Sequence, residues 1–423
     1  MIPMRLRESP TFASLSERNY RVYFGGQVVS LAGTWMQQVA QGILVARMTD
    51  HAWVVGAVIA MQFLPVLLLS LWAGVIADRF PKRPLMILTQ VLAGLCALVL
   101  GLLVATDAVR LWMVFVMAGL LGIVQAFDNP VRQSFVSELV GPEHLANAIS
   151  LNSVMVNLAR IVGPAVAAVL ASTAGLAVCF FLNAASFAAV IVALTMINGA
   201  QLRSATRSTE KPRLREGLRY VRDTPVVLVP LVLMAIVGTL AYEFPVSLLT
   251  MAEETFHDPN LYGTMSALQG LGAVVGGLIV ASRIKGSDPT ALAKVSVVFG
   301  VLILCVAVAP SVATALIALT VMGGASIAFI SIGNSIIQLG ADPGMRGRVM
   351  AMWSLAFIGS TALGGPLVGL VADLLGPRAG VGIGGIAAIV AGAACYPALA
   401  RLGPGSGRSA PSPVEAAEIV PAA

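Results

Sequence analysis

Two apolar runs, Ala52–Ala77 and Leu85–Thr106, are separated only by Asp78-Arg79-Phe80-Pro81-Lys82-Arg83-Pro84. Each run exceeds the roughly 20 residues that a helix needs to cross a bilayer. A connection this short between two crossings is a hairpin at one membrane face. Arg79, Lys82 and Arg83 assign that face to the cytoplasm by the positive-inside rule. Gly74 leaves room for another backbone beside the end of the first helix. Asp78 is an acid at a helix C-terminus, the unfavourable end of its own dipole. It should therefore seek a cation or the N-terminus of another helix.

The remainder of the chain repeats the pattern. Its residues are 58% hydrophobic and 11% charged, where soluble domains carry about 25% charge, so the expected fold class is all-α integral membrane. Helices are expected over 20–46, 52–77, 85–106, 111–127, 146–172, 176–198, 225–251, 261–282, 290–309, 312–339, 348–374 and 379–400. This even number of crossings puts both termini on one side. All but four of the 26 cations, namely Arg47, Arg110, Arg160 and Arg378, then fall on cytoplasmic segments. The net charge of +6 is thus a topology signal, and no nucleic-acid partner is expected.

Residues 199–224 form the longest and most basic polar interruption. They read as a cytoplasmic linker between an N-terminal six-helix half, 1–198, and a C-terminal one, 225–400. The halves echo each other: Arg160-Ile161-Val162-Gly163-Pro164 recurs as Ala362-Leu363-Gly364-Gly365-Pro366. Residues 401–423, rich in Gly, Pro, Ser and Ala, read as a disordered cytoplasmic tail. Residues 1–19 lack an apolar core, so no cleaved signal peptide is expected. Cys96, Cys179, Cys305 and Cys395 lie in apolar runs without metal or redox spacing and read as packing residues.

The stretch Gly74-Val75-Ile76-Ala77-Asp78-Arg79-Phe80-Pro81-Lys82-Arg83 resembles the loop motif between the second and third helices of the major facilitator superfamily. Pro81 replaces that motif's second glycine, and Lys82-Arg83 reverses its Arg-Lys order. Arg18-Asn19-Tyr20-Arg21, Gly33-Thr34-Trp35-Met36-Gln37 and Asp128-Asn129-Pro130-Val131-Arg132-Gln133 narrow the resemblance to the enterobactin-exporter-like branch, also called transmembrane secretion effectors. The resemblance implies two pseudo-symmetric six-helix halves around a central cavity, alternating access, and export. Helices 1, 4, 7 and 10 would surround the cavity. The acid at the unfavourable helix end suggests a conformational gate of Gly74, Asp78, Arg79 and Arg83 with Arg346, in which Asp78 meets the N-terminus of the eleventh helix when the cytoplasmic side is closed. Proton-driven drug exporters of the superfamily often carry an arginine within the fourth helix. None lies between Leu111 and Phe127, so their coupling scheme is not carried over.

Helical spacing supplies a polar path independently. Gln27, Ser30, Thr34, Gln38 and Gln41 fall on one face of the first helix, where lipid exposure would leave their amides unpaired at roughly 1–3 kcal/mol each. The stripe faces either a water-filled cavity or neighbouring helices. Similar stripes run through Ser150, Ser153, Asn157 and Arg160, through Thr239, Glu243, Ser247 and Thr250, and through Ser331, Asn334, Ser335 and Gln338. Gln27, Thr34, Gln38, Asn157, Arg160 and Asn334 are the candidate substrate-binding residues.

Arg160 and Glu243 are read as the ionisable residues well inside the spans. A charge there costs about 2.5–3.5 kcal/mol on insertion scales and is by default functional. Arg160 would attract an anionic ligand or respond to a proton, and Glu243 would carry the proton; the other reading pairs each with a polar neighbour. No phosphate-cradling glycine loop or zinc-type histidine spacing appears, so neither enzymatic activity nor a cofactor or metal is expected. Together these readings point to a monomeric secondary transporter of the inner (cytoplasmic) membrane, bathed in membrane lipid. It is expected to export a small amphipathic molecule, drug or siderophore-like, in exchange for protons. An importer or lysolipid flippase of the same fold stays open, as does a scaffold or sensor, which would have no need of intramembrane polar stripes.

Overall fold

The structure is a computed structural model that describes residues 10–202, 214–283, 288–342 and 345–402. The expected tail beyond 402 and linker residues 203–213 lie outside the described residues. In the N-terminal half the helices are α1 (Arg18–Ala46), α2 (Ala52–Arg79), α3 (Lys82–Ala105), α4 (Leu111–Leu139), α5 (Pro142–Thr173) and α6 (Leu176–Met196). A short helix, α7 (Leu214–Asp223), precedes the second half. There Tyr220 accepts a hydrogen bond from the backbone N–H of Asp342 at 2.9 Å, docking α7 onto the bundle end. The second half holds α8 (Pro225–Ala241), α9 (Phe244–Thr250), α10 (Leu261–Arg283), α11 (Pro289–Ala307), α12 (Val312–Gly340), α13 (Arg346–Ile358), α14 (Thr361–Leu375) and α15 (Pro377–Leu402).

Among the described residues, 11 segments are long and apolar enough to cross a membrane. The 29-residue α1 is also long enough but falls outside that set, because its glutamine stripe dilutes its apolar content. With it the bundle has twelve crossing elements.

Their packing repeats with a shift of six spans. The contacts α2 with α4, α3 with α6, α1 with α6 and α1 with α5 recur as α10 with α12, α11 with α15, α8 with α15, and α8 with α13 and α14. The far-end turns repeat as well. Gly175, between α5 and α6, has φ 87°, and Gly376, between α14 and α15, has φ 90°. Both need a conformation that a Cβ would strain.

The halves meet along two seams, α2 against α14 and α5 against α10, which the six-span shift interchanges. Small residues let the backbones touch: a Cβ on Gly56 would sit 2.1 Å from the Gly365 carbonyl oxygen, and one on Gly263 2.9 Å from that of Pro164. These approaches lie toward the end opposite the termini, here the far end. Toward the terminal end α2 leaves Trp72 73% exposed and Gly74 facing open space. The close approaches along the seams are thus at the far end, and α2 makes none at Gly74.

Three expected spans differ from the sequence reading. The fourth does not stop at Phe127; α4 runs through Asp128-Asn129-Pro130 to Leu139 and keeps Arg132 inside the helix. The Ser134 hydroxyl donates to the Pro130 carbonyl at 2.8 Å, while the carbonyl that Pro130 leaves without its usual donor is that of Ala126. The seventh is not continuous. It breaks at Tyr242–Glu243, where Pro245 cannot donate a backbone hydrogen bond, and resumes as α9 with a π turn at Met251–Thr255. The eleventh breaks at Gly359–Ser360, between α13 and α14. The two breaks are neighbours, since a Cβ on Gly238 of α8 would meet the Phe357 ring and the Ser360 hydroxyl, each at 3.1 Å.

Candidate functional site

The face of α1 carrying Gln27, Ser30, Thr34, Gln38 and Gln41 lines a cavity of about 240 Å³ within the N-terminal half. Gln62 of α2, Gln90 of α3 and Gln125 of α4 close around it, with Leu121, Val124 and Phe187 as apolar walls. The chamber is rich in amides that both donate and accept hydrogen bonds. A second cavity, of about 250 Å³, lies between the halves and is bounded mainly by α1, α2, α5, α9, α10 and α12. Trp35, Gln38 and Phe63 belong to both linings, so the two spaces adjoin.

Arg160 reaches the second cavity from α5. Its guanidinium carbon lies 5.0 Å from the centre of the Trp35 ring, a cation–π contact worth about 0.5–2 kcal/mol with desolvation. Its buried Nε has no hydrogen-bond partner. Tyr242, Phe244 and Phe357 add an aromatic wall, with Tyr242 and Phe357 rings 4.9 Å apart. The Tyr242 hydroxyl is anchored on the Ser326 carbonyl at 2.6 Å. A cation with a free donor among aromatic faces suits a ligand that is anionic and partly apolar.

Glu243 does not project from a continuous stripe, because the helix breaks at that residue. It is 1% exposed, both carboxylate oxygens lack a hydrogen-bond partner, and Thr361 lies beside it. It packs against α14, where a Cβ on Gly364 would come within 2.7 Å of its Oε1, and it lies outside both cavity linings.

Asn157 donates to the Ser153 carbonyl at 2.8 Å and Asn334 accepts from Gln338 at 3.0 Å; neither belongs to the two linings. Two expected gate residues serve their own halves. Arg83 donates to the carbonyls of Leu194 and Thr195 at 2.8 and 2.9 Å, closing the C-terminus of α6, and Arg346 donates to the Gln338 carbonyl at 2.9 Å. Arg79 is exposed in the last turn of α2. The side chain of Asp78 lies outside the described residues.

Sequence reasoning missed Asp128 and Arg132, which line the first cavity from the extended part of α4. Asp128 accepts from Thr89 at 2.7 Å and Gln90 at 2.8 Å. The i, i+4 spacing of acid and base was the available signal, hidden because Asp-Asn-Pro reads as a turn.

The lining makes a direct prediction. In a background without the four native cysteines, single cysteines at Thr34 and Gln38 should react with a polar thiol reagent. A cysteine at Val29, 53% exposed on the opposite side of α1, should face lipid and stay unlabelled. Equal labelling at all three positions would mean that the glutamine chamber is dry packing.

A family model described as transmembrane secretion effector matches residues 9–409. The staphyloferrin A transporter of Staphylococcus aureus (strain NCTC 8325 / PS 47) is 30% identical over 151 residues, which span 36% of this chain and 38% of that protein. The enterobactin exporter EntS of Citrobacter koseri is 22% identical over 376 residues, 88% of this chain and 90% of that protein. Among solved structures, a bacterial homologue of the human lysosomal transporter Spinster, inward-facing and unoccupied, superposes with a TM-score of 0.73. It is 12% identical and covers 96% of this chain and 100% of that one, a likeness of fold.

Proposed function

The chain belongs to the transmembrane secretion effector family of the major facilitator superfamily, and on that premise we propose that it is a monomeric secondary transporter of the cytoplasmic membrane that exports a small amphipathic molecule in exchange for protons. The observation that carries this reading is Arg160, stacked on Trp35 with its Nε unpartnered, in a cavity that both halves line. A scaffold has no use for an uncompensated buried cation there, whereas a transporter needs a charge that a passing solute can satisfy.

The cations of the terminal end, among them Arg79, Lys82, Arg83, Arg346 and Arg348, favour a cytoplasmic location for that end and for both termini. Seams that touch at the far end favour access from the cytoplasmic side, the state in which an exporter loads. Its aromatic walls and single guanidinium suit a solute with an apolar or aromatic body and an anionic group. A relative named as an enterobactin exporter favours the outward direction.

The test compares small molecules retained by cells lacking the chain, cells carrying it, and cells carrying Arg160→Gln at equal abundance. Cells lacking it should retain at least one aromatic or carboxylate-bearing metabolite that the parent releases, and the Arg160→Gln cells should release it at least tenfold more slowly. Equal retention in all three would remove the exporter reading, and greater retention in the parent would point to an importer.

A further inference from the structure

Three buried side-chain atoms toward the terminal end of the N-terminal half have no hydrogen-bond partner: Tyr23 Oη, Gln27 Nε2 and Arg132 Nε. Each carries a proton to donate. Gln27 and Arg132 line the same cavity. Tyr23 lies one turn from Gln27 on the same face of α1 and meets Phe135 of α4 edge-on, with ring centroids 5.8 Å apart. Phe135 is in turn one helical turn beyond Arg132, so α1 and α4 bring the three donors to one corner. Gln27 is 3% exposed and Tyr23 2%. Donors left unpaired at such depth are rare and ask for an explanation.

The acceptors nearby leave these three atoms unfilled. Asp128 Oδ1 is held by Thr89 and Gln90, and Asn129 Oδ1 accepts from Arg132 Nη2 at 2.8 Å. Asp128 Oδ2 stands 3.6 Å from Arg132 Nε, close enough for an ion pair but too far for a hydrogen bond. Thr89 and Gln90 thus tie the carboxylate back from the donors that it could otherwise fill.

We propose that Gln27 and Arg132, with Tyr23 packed behind them, form a subsite for an oxyanion of the transported solute, a carboxylate or a phosphate, with Asp128 as the opposing charge that limits its affinity. The proposal rests on the cavity being the solute's path. It assigns a further anionic group of the solute a place in the N-terminal half, beyond the one that Arg160 meets in the aromatic compartment. A solute using both would be an elongated anion with its oxyanion among the glutamines and its apolar part beside Trp35 and Phe63.

The test is calorimetric titration of the detergent-solubilised full chain with citrate and with inorganic phosphate, glycerol serving as the uncharged control. The parent should bind one of the two anions and not glycerol, and the tighter anion identifies the source of the oxygens. Arg132→Gln should weaken binding at least tenfold and Gln27→Leu severalfold. Asp128→Asn, which removes the opposing charge, should tighten it severalfold. Arg219→Gln, which removes an equal charge from a side chain 86% exposed on α7, should change nothing.

Opposite signs for Asp128→Asn and Arg132→Gln separate a binding site from a structural ion pair, whose loss from either side would weaken binding alike. If Arg132→Gln does not fold, the opposite signs of Gln27→Leu and Asp128→Asn decide the question. Absence of binding by the parent, equal losses in Arg132→Gln and Arg219→Gln, or weakening by Asp128→Asn would each overturn the subsite. None of these would touch the exporter reading, which is measured by cellular release. Lost release with intact anion binding would strike that reading alone.

Discussion

Glu243→Gln should abolish concentrative export driven by a proton gradient and leave downhill exchange of solute intact. The residue occupies the break of the seventh span, buried, with neither carboxylate oxygen hydrogen-bonded. A carboxylate in that setting would lie in low dielectric with only the Thr361 hydroxyl beside it, a cost of several kcal/mol. The break of the eleventh span is its neighbour, and Gly364 presses its backbone against Glu243 and the Thr239 carbonyl. Only a residue without a side chain permits that approach. Ionising Glu243 therefore opposes the packing of the two breaks, and protonating it restores that packing. On the proposed exchange for protons, this one contact would link the proton to the geometry of spans seven and eleven, as gradient coupling requires.

Glutamine has nearly the same shape and cannot ionise, so it should hold the packed arrangement whatever the pH. Vesicles with an imposed pH gradient should concentrate the solute with the parent and at least tenfold less with the variant, while exchange rates agree within a factor of about two. A variant that still concentrates solute as the parent does would move the proton site elsewhere, to Asp128 first.

How far these residues could be read from the sequence depended on which physical signal each one left. The polar stripe of α1 was legible because glutamines at helical spacing in an apolar run have one physical meaning: a face turned away from lipid. The hairpin at Asp78–Pro84 was legible from length and charge alone. The breaks in spans seven and eleven were not. A membrane helix is apolar on every side, so hydrophobic periodicity carries no phase that an interruption could disturb. Pro245 and Gly359 are also residues that continuous membrane helices tolerate. Arg132 was missed for the opposite reason. Asp128-Asn129-Pro130 has the chemistry of a turn, and only packing against α1, α2 and α3 keeps it helical. Pairings between halves, such as those of α2 with α14, had no local signal.

One such pairing leads to a second large expected effect, a shift of the access equilibrium toward opening at the far end in Asp373→Ala. The N-terminus of α2 has no side-chain cap of its own, since His51 provides none. Instead the carboxylate of Asp373, on α14 of the other half, accepts from the backbone N–H of Ala52 at 2.6 Å and of Trp53 at 3.2 Å. Asp373 stands in the last turn of α14, the unfavourable end of its own dipole, and gains by facing the positive end of α2. Asp78 has the same relation to its own helix, in the last turn of α2, while the N-terminus of α13 begins the eleventh span at the terminal end. The two spans thus carry an acid at each end of their seam, and the expectation is that Asp78 serves the terminal end as Asp373 serves the far end.

A helix cap of this kind contributes about 1 kcal/mol, commonly 0.5–2. Removing 1–2 kcal/mol from one side of a two-state balance changes the population ratio roughly 5- to 30-fold. A cysteine at Ile59, which lines the central cavity, reports the change through a membrane-impermeant thiol reagent added from the far end. Asp373→Ala should raise its labelling at least fivefold, Asp78→Ala should lower it, and the double variant should return near the parent, because the caps are far apart and their effects add. If Asp373→Ala leaves Ile59 labelling unchanged, the bonds to Ala52 and Trp53 decorate the surface and do not hold the far end shut.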